Sequence, residues 1–103
     1  MQKIDKPNYT DVPNIIFDVW MEKLNAEEFK VFLYIYQKSI RCLKEECLLL
    51  DMYQHTGLSE VILIKSLYSL IDKGLLNEIK IKYEVKVRDV LIQFQICMEA
   101  LND

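Results

Sequence analysis

Glycine and proline are nearly missing from this chain: two of each in 103 residues. So few turn-formers and breakers exclude collagen-like, low-complexity and linker-rich sequences. A basic excess is missing too, since 13 Lys and Arg stand against 16 Asp and Glu, a net charge of −3. Binding to nucleic acid draws most of its non-specific affinity from phosphate neutralisation, so any DNA contact here must come from a local cationic cluster or from partners. The three cysteines, Cys42, Cys47 and Cys97, cannot all pair within one chain. They are expected as packing thiols in a reducing compartment. Cys42 and Cys47 with the single histidine, His55, lack the second cysteine pair of a zinc site, so no metal and no cofactor is expected. No apolar run approaches the length of about 18 residues that a membrane helix needs, and no charged-then-apolar leader heads the chain. A cytoplasmic protein with no membrane partner is the expectation.

Apolar residues make up 51% of the sequence, enough for the core of one small domain. Residues 1–12 have mixed charge and no period, and read as an arm. Residues 13–103 read as the domain, with no internal repeat.

The most informative stretch runs from Thr56 to Leu76. Gly57 suits a turn needing positive φ, and Ser59 is placed to cap the helix that follows. Leu63, Leu67, Leu70 and Ile71 then recur on one helical face, and Gly74 sits where a C-terminal cap glycine belongs. Helix, glycine turn, second helix and strand together make a helix-turn-helix pattern.

The flanking segments fit around it. Pro13-Asn14 opens a short helix with Ile16, Trp20 and Leu24 at four-residue spacing, and Trp20 is expected to staple it to the core. Asn25 and Glu28 have capping-box spacing before a helix over about 26–39. Its main apolar stripe is Phe29, Phe32, Leu33, Tyr36 and Ile40, widened by Val31, Tyr34 and Ile35, which predicts a helix central to the core, with cover by a second chain as the alternative. Cys47-Leu48-Leu49 suggests a short edge strand. Residues 51–56 supply the first helix of the motif, with Met52 and Tyr53 buried and no Ser or Thr to cap its start.

Residues 79–87 alternate strictly. Isoleucines, tyrosine and valines should face inward, and Lys80, Lys82, Glu84 and Lys86 outward. Arg88-Asp89 is expected to turn the chain, and Val90–Ile96 to return as a second strand, giving a wing over about 77–96. A terminal helix starting at Asp89 and carrying Leu91, Phe94, Met98 and Leu101 is the alternative. The fold class expected is α+β, mainly helical: a winged helix-turn-helix with a small β-sheet wing.

With these pieces in place, the chain resembles the N-terminal winged-helix domain of phage and plasmid replication-initiation proteins, the bacteriophage replication protein O type. The resemblance spans about residues 9–76. It rests on Tyr9-Thr10-Asp11-Val12-Pro13-Asn14, on Leu24 through Tyr36, on Thr56-Gly57-Leu58-Ser59 and on Leu67 through Leu76. It implies a role in DNA replication initiation, with transcription regulation as the neighbouring possibility. The departures are informative: family members usually offer Arg, Lys, Thr or Asn to base edges, where this chain has Glu60, Val61, Ile62, Lys65 and Tyr68.

Two functional expectations follow. In the first, the domain binds double-stranded DNA through Ser59, Lys65, Tyr68, Lys80, Lys82, Lys86 and Arg88, with the lysines following the phosphate backbone. In the second, it is an acidic protein-interaction module that dimerises or docks a replication or transcription protein through Val61, Ile62, Ile64 and Tyr68. Catalysis is not expected. Asp51 and His55 share a helix face at i, i+4, but no nucleophile, phosphate loop or metal cluster accompanies them, and no small-molecule substrate is implied.

Overall fold

Pro13 accepts the amide of Ile16 at 3.0 Å and so opens the first helical segment. In the computed structural model, which describes residues 11–102, this segment is a π-turn over Ile16–Trp20 running into α1 (Met21–Lys23). Ile16 is fully buried and Leu24 nearly so. The indole Nε1 of Trp20 donates to the Ala100 carbonyl at 3.0 Å, so the expected staple reaches the far end of the domain. Most of the proposed arm, residues 1–10, lies outside the described residues.

The capping box is formed in full. Asn25 Oδ1 accepts the Glu28 amide at 2.7 Å, and Glu28 Oε1 accepts the Asn25 amide at 2.8 Å. It starts α2 (Ala26–Cys42), which packs against three other elements described below. Being covered on several sides, α2 buries Val31, Phe32 and Ile35 completely, while Ile40 from the expected stripe is 43% exposed. The helix ends in Leu43, which adopts φ 54° and is 87% exposed. A left-handed cap favours glycine, and a leucine there is strained.

A short strand, β1 (Glu46–Leu48), follows, and α3 (Leu49–Thr56) begins two residues earlier than expected. Its missing cap comes from far along the chain: Asp89 Oδ2 accepts the Leu50 amide at 3.2 Å. Leu49, Met52 and Thr56 turn to the core at helical spacing. Tyr53, one residue round the helix from Met52, is 51% exposed and not buried as its sequence position suggested.

The turn after α3 is built as its residues dictate. Gly57 takes φ 73° and its amide donates to the Tyr53 carbonyl at 2.8 Å. The buried Thr56 hydroxyl donates to Met52 O at 2.8 Å and accepts the Leu58 amide at 3.2 Å. Ser59 then caps α4 (Glu60–Asp72), accepting the Ile62 amide at 3.4 Å. At the other end Gly74 adopts φ 87°, and Leu75 N reaches Leu70 O at 2.9 Å while Gly74 N reaches Ile71 O at 3.0 Å. This is a Schellman cap, and its characteristic apolar pair, Leu70 and Leu75, is fully buried.

Two strands complete the domain: β2 (Leu76–Glu84) and β3 (Asp89–Ile96). The sheet order is β1-β3-β2, antiparallel throughout. Residues 90–96 are therefore strand and not helix, because β3 is paired on both edges. The alternation over 79–87 does not stay in the strand to its end. β2 stops at Glu84, and residues 85–88 form the turn, closed by Arg88 N to Val85 O at 3.3 Å with Arg88 at φ 53°. Four-residue loops of this kind take one left-handed residue, so no Asn-Gly pair is needed. A 3-10 turn over Met98–Leu101 ends the described chain.

The result is an α+β domain in which α2, α3 and α4 pack with a three-stranded antiparallel sheet around one apolar core. Among the described residues no helix is long and apolar enough to cross a membrane.

Candidate nucleic-acid interface

Helix α4 is held by its inner face. Leu63, Leu67 and Leu70 are fully buried, so the side chains opposite must point outward. Val61, Lys65 and Tyr68 follow one another at i, i+4 and i+7 on that outer side, with Val61 75% and Tyr68 54% exposed. Glu60 and Ser59 stand exposed at the helix start. Of the apolar group proposed for partner docking, Ile62 and Ile64 are half-buried, and Ile64 packs against the core. The outward apolar surface of α4 therefore narrows to Val61 and Tyr68.

The hairpin shows two faces. Directly opposed residues of antiparallel strands share a face, so Ile79 with Phe94, Ile81 with Ile92, and Tyr83 with Val90 form the core side. Lys80 with Gln93, Lys82 with Leu91, and Glu84 with Asp89 form the outer side. As far as Glu84 the alternation is as expected, but the inward residues do not all find a core. Exposure rises from 38% at Ile81 to 61% at Tyr83 and 73% at Val85, and Val87 is 51% exposed. Burial was expected for these residues. The hairpin instead runs out beyond the helices that would cover them.

Lys80 and Lys82 lie two residues apart on the outer face, flanked along β2 by Glu78 and Glu84. Lys86 and Arg88 leave the strand altogether and stand exposed in the turn. The seven residues expected to touch DNA thus divide into Ser59, Lys65 and Tyr68 on α4 and four cations on the hairpin. At the end of the hairpin the three cations Lys82, Lys86 and Arg88 stand beside the carboxylates of the opposed pair Glu84 and Asp89.

Two charged clusters brace the scaffold behind this surface. Glu28, only 4% exposed, accepts from Lys73 Nζ at 2.6 Å and from the Ser69 hydroxyl as well as from Asn25. Burial pushes its carboxyl upward, but hydrogen bonds from Lys73, Ser69 and Asn25 and the Lys73 charge outweigh it, holding the group below the ordinary carboxylate range. The N-terminus of α2 is thereby fastened to the C-terminal half of α4. Asp51 accepts from the Tyr34 hydroxyl and pairs with Lys38 at 3.1 Å and His55 at 3.5 Å, bracing α3 to α2. The Tyr34 hydrogen bond, opposed by burial and aided by Lys38 and His55, keeps the Asp51 carboxyl low. Cys47 is buried in the core, and burial raises its thiol to about 12. Among the described residues no group of three or more His, Cys, Asp or Glu side chains could hold a metal ion.

The Asn25–Glu28 box is legible in the sequence, but the bonds from Ser69 and Lys73 to Glu28 are not, because nothing local connects residues 41 and 45 positions apart. The Asp89 cap on α3 likewise shows in the sequence only as a helix start without a cap of its own.

Comparison with protein-family models, with curated proteins and with solved structures finds no match for this chain.

Proposed function

We propose that the domain is a winged helix of the replication-initiation or transcription-regulator type and that it binds duplex DNA. In this reading α3 and α4 are the helix-turn-helix, α4 is the recognition helix, and the β2–β3 hairpin is the wing. The observation that carries it is the outward face of α4, anchored from behind by three buried leucines and followed in the chain by a hairpin that exposes Lys80, Lys82, Lys86 and Arg88.

Each residue has a part that its chemistry allows. Lys65 and the Tyr68 hydroxyl suit phosphate oxygens, and Val61 suits a thymine methyl. Lys80, Lys82, Lys86 and Arg88 suit the backbone beside the groove. Glu60 repels phosphate unless it accepts from a cytosine amino group, so base reading by α4 is narrow. Binding of this kind is weak at high salt: each neutralised phosphate contributes about −0.9 to the slope of log affinity against log salt.

Gel-shift titration of a duplex at two salt concentrations tests the reading. Lys82→Glu combined with Lys86→Glu should abolish binding at low salt, and unaltered affinity removes the hairpin from the interface. A second reading, docking of a protein partner on α4, is favoured by the exposure of Val61 and Tyr68. Loss of a partner in Val61→Lys with duplex binding intact would select it.

A further inference from the structure

The sheet order β1-β3-β2 leaves β2 with one edge turned away from β3. Among the described residues no backbone hydrogen bond joins that edge to another element. The edge is nine residues long, three times the length of β1 at the opposite side of the sheet. An open edge is a template for pairing with another strand, and residues 80–84 are the part of it that the register below sets against a second chain. Lysines commonly guard such edges, but here two lysines are bracketed by glutamates in the order Glu78, Lys80, Lys82, Glu84. That order lets the strand complement itself.

We propose that two copies of this chain associate through the free edges of β2, antiparallel, with the twofold axis at Lys82. In this register Lys80 stands opposite Glu84 of the partner subunit, and the reciprocal contact repeats across the axis. Ile81 meets the partner's Tyr83, bringing together the two residues that the monomer leaves 38% and 61% exposed on the core side of the hairpin. Opposite charges and apolar pairs facing one another across strands are the contacts that stabilise a sheet. Moving the axis to Ile81 would set Lys80 against the partner's Lys82 and Glu78 against the partner's Glu84, both repulsive. Moving it to Lys80 would run the pairing into the irregular stretch between Leu76 and Glu78 and place Tyr83 opposite the partner's Asn77. The one like-charged contact of the favoured register is Lys82 with the partner's Lys82. The two sheets join into one of six strands.

The inference does not depend on DNA binding, and self-association is measured with no DNA present. Sedimentation of the wild-type chain over a wide concentration range should show a monomer–dimer equilibrium. Lys80→Glu and Glu84→Lys should each weaken it about tenfold, since each change sets like charges together twice per dimer. The double variant K80E/E84K should return to wild-type dimerisation, a rescue that a merely structural loss would not give. Far-UV circular dichroism confirms that each variant is folded. A strictly monomeric wild type, failure of the double exchange to rescue, or rescue by E78K/K82E in its place overturns the proposal. A monomer that still loses duplex affinity in K82E/K86E would sink this proposal alone and leave the DNA-binding reading standing.

Discussion

Replacing Glu28 by glutamine tests the link between the two helices that matter most to the proposed surface. The wild-type carboxylate is nearly buried and takes three donors: the Asn25 amide, the Ser69 hydroxyl and Lys73 Nζ. Glutamine keeps one accepting oxygen but turns an NH2 group toward donors, leaving at least one buried group unpaired. A hydrogen bond to a charged group contributes about 1.5–3 kcal/mol, and an unpaired buried polar group costs a similar amount. Lys73, whose side chain is 37% exposed, regains water, so its share falls to the surface value of roughly 0–1 kcal/mol. The expected loss is therefore about 2 kcal/mol, or about 8–16 °C in Tm for a domain of this size. The pH dependence gives a sharper signature. Because the folded carboxyl titrates below its unfolded value, its contribution is complete above the unfolded value and disappears as pH falls through the folded one. Urea unfolding of both proteins, at neutral pH and in steps into acid, should show the gap between them closing. A gap that is the same at every pH, or a neutral-pH loss below about 0.5 kcal/mol, refutes the reasoning.

Other perturbations act on the backbone caps. Leu43→Gly relieves a left-handed residue that packs against little, and should stabilise the domain by up to about 1 kcal/mol in thermal unfolding, despite removing an apolar side chain. Asp89→Ala removes the carboxylate that caps α3 and should cost about 1 kcal/mol, with the amide of Leu50 losing hydrogen-exchange protection first; unchanged protection there would deny the cap.

What could be read from the sequence follows the range of each interaction. The Asn25–Glu28 box, the Gly57 turn, the Ser59 cap and the Gly74 cap all act within a few residues, and each is present where its residue types predict. Period-two alternation likewise placed the lysines of β2 on the outer face. Periodicity says which residues share a face, however, and not whether anything covers it. That is why Ile81 and Tyr83 were expected inside and stand exposed, whereas Val85 and Val87 are exposed because the chain has already left the strand for the turn. Tyr53 failed for a related reason: an eight-residue helix buries a narrow stripe, and its neighbour Met52 occupies it. The start of α3 could not be placed because its cap is an aspartate on another strand. For the candidate site, Lys65 and Tyr68 were assigned correctly to the outer side of α4, while the inward lean of Ile64 depends on packing that no local pattern records.

The hydrogen bond from Trp20 to Ala100 spans 80 positions, and Trp20 is the only tryptophan in the chain. A contact with so much intervening polypeptide cannot persist until the helices and sheet between its ends have assembled, because closing that loop early has nothing to offset its entropy. The indole is thus a built-in optical reporter of completed assembly. Its emission should mark the moment the two extremities of the domain meet, which circular dichroism of the individual helices would not see.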